Sequence, residues 1–134
     1  MNALQKYSEL GGRILLSVLF LLSGLSKIGA YTGTAAYMSA LGVPAALLPV
    51  VIATEVLGAL AIIVGCKTRV TAFLLAGYAL LTALVFHRNV GDQIQMIMFL
   101  KNAAIAGGFL LLVAYGAGDL SLDRRFARSV NKRN

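Results

Sequence analysis

Apolar residues fall in four long runs separated by short polar breaks, and this block pattern, with no sustained period-2 alternation, dominates the chain. The runs cover about residues 10–29, 46–65, 70–86 and 94–116; at 1.5 Å per residue each is long enough to cross a hydrocarbon core about 30 Å thick. Residues 30–44 are too polar and too short to span. Within them Thr34, Tyr37, Met38 and Leu41 recur at helical spacing, and Gly42 and Pro44 follow as stop signals. The pattern predicts an all-α integral membrane four-helix bundle with a short interfacial helix after the first span, with Tyr31 and Tyr37 at headgroup depth. Residues 1–118 then form a single four-span membrane domain, followed by a basic tail over 119–134. In the tail Leu122, Phe126 and Val130 lie at i, i+4 and i+8, opposite the arginines, a spacing that fits a short surface helix or, equally, a solvated end.

Composition sharpens the class. Of 134 residues 59% are hydrophobic and only 13% charged, against roughly 45 to 50% apolar usage in soluble domains. A water-soluble domain of this size could not bury that much apolar surface. A secretory signal over residues 14–22 is the competing reading of the first run, but no A-x-A-like cleavage site follows it. The single Cys66 forms no internal disulfide, and with His87 as the only histidine one chain offers neither a thiol couple nor a metal cluster. No covalent cofactor is expected. Redox work would need a diffusible cofactor, of which quinone is the obvious candidate, or a partner.

The net charge of +7 is unevenly placed, with nine of the twelve Lys and Arg residues in the amino end, the 65–69 turn and the tail. With four spans these segments share one face, so the positive-inside bias predicts a multi-pass protein with both termini cytoplasmic. No base-reading helix or interleaved aromatics accompany the charge, so no nucleic-acid partner is expected. The basic tail points instead to anionic membrane lipid.

The costliest positions are polar groups within the spans. Arg13 and Lys27 lie about 21 Å apart along the first helix and are expected to snorkel to opposite interfaces. Glu55 lies nearly halfway through the second span, and Lys101 and Asn102 lie at similar depth in the fourth. Burial of such charges is tolerated when they turn inward and pair, so depth alone suggests a Glu55 to Lys101 pair, with Asn102 and Gln95 on an adjoining face. Lys27 and His87 close the first and third spans near the same interface. Glu55, Lys101, Asn102, His87, Gln95 and Lys27 therefore form the candidate ligand-binding set, in the outer half of the bundle. The bland reading is a structural pair with interface anchors. Gly58, Gly65, Gly107 and Gly108 read as helix-packing positions, and Met96, Met98 and Phe99 as packing side chains.

Taken together, Arg13, Phe20, Gly24 and Lys27, Gly42-Val43-Pro44, Glu55, Gly58, Gly65, Thr68 and Arg69, then His87, Gln93, Lys101, Asn102 and Gly107-Gly108, resemble the DoxX family. The string Gly116-x-Gly118-x-x-Ser121-Leu122-Asp123 is the most distinctive part of the likeness. Within the family the chain is similar to small four-span inner-membrane proteins labelled as quinol oxidase subunits. The family is named after a small subunit of an archaeal thiosulfate:quinone oxidoreductase, and the resemblance implies a bacterial inner-membrane location and a link to quinone-dependent oxidoreductases. Two functions stay open: an accessory subunit that binds a quinone or similar amphipathic molecule beside a redox partner subunit, or a non-catalytic scaffold or carrier of small hydrophobic solutes, for which a homo-oligomer would provide room.

Overall fold

A computed structural model describes residues 2–133, which form six α-helices and one 3-10 turn, with no strand among the described residues. Helix α1 runs Ala3–Gly29, α2 Tyr31–Ala40, α3 Leu48–Val64, α4 Thr68–Phe86, α5 Gln93–Tyr115 and α6 Leu122–Asn131, with the 3-10 turn at Ala45–Leu47 ahead of α3. The segments Ala3–Gly29, Ala45–Val64, Thr68–Phe86 and Gln93–Tyr115 are long and apolar enough to cross a membrane. Leu15, Leu57, Phe73 and Leu111, one from each, stand largely exposed on the outside of the bundle, as lipid-facing side chains would. The described chain is thus the predicted four-helix bundle with a short helix after the first span.

Capping chemistry sets the helix boundaries, moving the start of α1 and holding the end of α3 where its apolar run stops. Helix α1 begins well before its apolar run because the Asn2 side chain accepts a hydrogen bond from the Gln5 N–H at 2.9 Å, closing the first turn. Helix α3 ends at Gly65, whose φ of +73° suits a residue without a Cβ; Cys66 N–H reaches back to Ala61 O at 2.9 Å and Gly65 N–H to Ile62 O at 3.2 Å, a Schellman stop.

The bundle is two helix pairs. Helix α1 packs along α3 and α4 along α5, with α3 and α4 joining the pairs. Small residues allow the approach: Gly58 takes the Leu75 side chain, and Gly108 takes Leu16, where an added Cβ would lie 2.9 Å from its Cδ2. Gly107 differs from its predicted packing role, since it faces open space. Phe20, Ala59, Ile62, Leu75, Ala79 and Phe109 fill the centre.

The basic end is tied shut. Arg13 does not snorkel as expected; it is fully buried, and its guanidinium donates to the carbonyls of Ile63 at 3.1 Å and Ile62 at 3.3 Å, and also to Leu120 O. The carboxyl end of α3 leaves carbonyls without intrahelical partners, and a guanidinium with five donors satisfies them. Asp123 completes the closure. Its carboxylate accepts from the backbone N–H groups of Lys67 at 2.7 Å and Thr68 at 2.9 Å, and its own N–H donates to Gly65 O at 2.8 Å.

Candidate functional site

The polar groups of the other half surround a cavity of about 520 Å3, enclosed by α1, α3, α4 and α5 and roofed by α2. Its floor is aromatic: the Phe20 ring lies edge-on to Tyr78 at 6.1 Å between centroids and tilted against Phe109 at 5.6 Å. At the roof, Tyr37 of α2 stacks on Phe86 at the end of α4, with centroids 5.8 Å apart, while Met38 is buried. Helix α2 therefore covers the bundle end, one tyrosine turned onto α4 and not simply toward headgroups. Leu19, Leu47, Val51, Leu81 and Ile105 supply apolar wall.

Inside the cavity Glu55 is almost completely buried, and its partner is Lys27, with Nζ 2.9 Å from Oε2 and 3.1 Å from Oε1. The lysine's third contact is Ser23 Oγ at 2.5 Å, and the Tyr78 hydroxyl donates to Glu55 Oε1 at 2.6 Å. The Glu55 to Lys101 pair suggested by depth is therefore not formed. The reason lies in helix pairing: α1 and not α5 lies against α3, and Gly24, one turn before Lys27, lets the two backbones close. A Cβ at position 24 would sit 2.6 Å from Val56 Cγ2 and 3.1 Å from Glu55 Cβ. Lys27 is accordingly an ion-pair partner within the site and not an interface anchor.

Lys101, Asn102 and His87 do line the cavity, as the sequence suggested. Asn102 Nδ2 donates to Thr82 Oγ1 at 3.1 Å, and that hydroxyl donates to Ala79 O at 3.0 Å. His87 Nδ1 meets Gln95 Oε1 at 2.9 Å. Gln95 is placed behind the imidazole and outside the lining, so it orients His87 and does not face the cavity itself. Lys101 makes no hydrogen bond or ion pair among the described residues. Met98 lines the cavity although its spacing suggested packing alone.

Sequence reasoning missed Tyr78, Ser23 and Thr82. A signal existed for the first: a tyrosine well inside a span has a hydroxyl that must find a partner when buried, and Tyr78 lies about 12 Å from the outer end of α4, near the depth of Glu55.

Chemically, the lining combines an apolar body with a few convergent polar groups, at a volume within the roughly 300 to 1,000 Å3 usual for small-molecule sites. One carboxylate is held by two donors, one amide is oriented by a hydroxyl, and one ammonium is free.

Comparison with known proteins places this arrangement. The chain is 48% identical over 124 residues to Inner membrane protein YqjF of Escherichia coli (strain K12), covering 92% of this chain and 95% of that one. It is 42% identical over 120 residues to Inner membrane protein YphA of the same organism, covering 84% and 86%. No solved structure matches. The DoxX sequence model matches residues 9–88, the stretch that contains Arg13, Lys27, Glu55 and Tyr78. By that match and by its two relatives, this chain belongs to the DoxX family.

Proposed function

We propose that the protein is an inner-membrane accessory subunit of a quinone-linked oxidoreductase, and that its cavity receives the oxygen-bearing head of a quinone or similar amphipathic molecule. The observation that carries this reading is the coincidence, in one cavity opposite the basic end, of an apolar wall with Lys101 and Asn102 on the same lining, the lysine exposed there. Asn102 spends one N–H on Thr82 and keeps a second for a ligand oxygen. A bound quinone would supply electron and proton acceptance. The residues of this chain would orient the head, keep bulk water out through α2, and hold protons at the Glu55 and Tyr78 oxygens. The relatives' inner-membrane location and the Lys and Arg bias together support a bacterial inner membrane with both termini cytoplasmic. There α6 would lie on anionic lipid, its Phe126 and Val130 exposed on one face.

The test is extraction of everything that copurifies in mild detergent, followed by titration of a short-tailed quinone into the wild type, Asn102→Ala and Glu55→Gln. Copurifying quinone, or weaker binding in the variants, is the expected result. No copurifying quinone together with unchanged affinity in both variants would overturn the proposal.

The saturation of the Glu55 carboxylate by Lys27 and Tyr78 favours a second reading of that cluster, as a pair that sets helix register in a non-catalytic scaffold. In that case a paired apolar replacement of Lys27 and Glu55 leaves quinone affinity unchanged.

A further inference from the structure

Charges lining a cavity inside a membrane should sum to zero unless something else completes them, because ionisable groups there survive by pairing with one another or by facing a wet path. Glu55 and Lys27 cancel, and the carboxylate is further occupied by the Tyr78 hydroxyl. That leaves Lys101 as a cation with no counter-charge among the described residues. Lys101 is exposed where it lines the cavity, yet its backbone lies eight residues beyond the start of α5, about 12 Å along the helix and most of the way to the middle of a 30 Å core. The next residue, Asn102, adds a spare N–H donor on the same lining.

We propose that Lys101 is the counter-charge for an oxyanion in the ligand's head, so that the cavity takes an acidic amphiphile in its ionised form in preference to a neutral one of the same shape. The inference rests on the reading of the cavity as an amphiphile site and specifies its chemistry. The oxyanion is either the ionised ring hydroxyl of a quinone-type molecule or the headgroup of an anionic lipid whose chain enters between the helices.

The test uses two naphthoquinones with the same alkyl tail, one with an acidic 2-hydroxyl that is ionised at neutral pH and one with a neutral 2-methoxyl. Both are titrated into the full chain in phosphatidylcholine nanodiscs. The wild type should prefer the acid by about tenfold, the scale of one hydrogen bond to a charged group. Lys101→Met should abolish the preference while still binding the methoxyl compound, and Lys101→Arg should restore it. Lys101 makes no hydrogen bond or ion pair among the described residues that the substitution would break. Equal affinity for both probes in the wild type would overturn this inference and leave the amphiphile site standing; binding of neither would overturn both. Repeating the titration with phosphatidylglycerol in the disc separates the sources. An unchanged preference identifies a free amphiphile, whereas a preference lost to Lys101-dependent retention of phosphatidylglycerol identifies the lipid headgroup. Either result supports the oxyanion.

Discussion

Arg13 and Lys27 lie on the same helix, carry the same charge and face opposite halves of the bundle, yet their surroundings differ in kind. Arg13 is surrounded by backbone carbonyls at the end of α3 and the start of the tail, all fixed by main-chain geometry. Lys27 is held by side chains, with Ser23 and Glu55 beside it and Tyr78 behind the carboxylate. A charge satisfied by backbone locks a fold, because its partners cannot be exchanged. One satisfied by side chains borders a cavity and shares it with a second, unpaired lysine. The contrast separates an end held by main-chain acceptors from an end that holds the cavity within one short bundle.

The sharpest way to break the comparison is to remove its structural side. Arg13→Leu takes the guanidinium donor from the carbonyls of Ile63 and Leu120 and leaves Ile62 O with the Gly65 N–H alone, and buried groups left unpaired cost about 1 to 3 kcal/mol each. Loss of monodisperse protein on size exclusion, or a drop of several kcal/mol in detergent unfolding, is expected, and wild-type stability would refute the clamp. Next in size is Glu55→Leu, which strands Lys27 and should cost about 3 kcal/mol, with Lys27→Met combined with Glu55→Leu recovering much of the loss. A double variant no better than the worse single would show that the pair is not the unit. Gly24→Ala forces a methyl against Val56 and should cost about 1 to 3 kcal/mol by overpacking, together with a weakened Lys27 to Glu55 contact, readable as reduced quinone affinity.

The smallest effect is expected at Asp123, outside the spans. Burial pushes its carboxyl up, but the N–H groups of Thr68 and Lys67, with Arg13 nearby, hold it below the ordinary carboxylate range. A group depressed on folding stabilises fully above its unfolded value of about 3.9 and loses that contribution as pH falls through its folded one. Asp123→Asn should therefore cost about 1 kcal/mol at neutral pH and flatten the acid limb of stability measured from pH 6 down to pH 3; an unchanged limb would remove Asp123 from the closure.

The sequence disclosed the four spans, the short helix after the first and the charged and polar residues Lys27, Glu55, His87, Lys101 and Asn102 that line the cavity, because hydropathy blocks and the expense of intramembrane charge are both one-dimensional signals. It did not disclose who pairs with whom. Depth placed Glu55 level with Lys101, but partner choice depends on which helices lie together, and that turns on small residues such as Gly24 whose effect appears only when two helices meet. The role of Arg13 was hidden for a similar reason: its acceptors are carbonyls, which every residue carries, and one lies 107 positions away. Tyr78 was readable in principle as a buried hydroxyl in need of an acceptor.

The aromatic floor made by Phe20, Tyr78 and Phe109 has a consequence for traffic. Beneath it the close-packed centre and the guanidinium closure stand between the cavity and the basic side, which gives the chamber the form of a cul-de-sac. On the proposed reading, a molecule that enters would leave by the doorway it used, and a proton deposited there would equilibrate with one compartment alone. Any link between the two sides of the membrane would then come from a neighbour, and the sidedness of the berth would be set by where it opens.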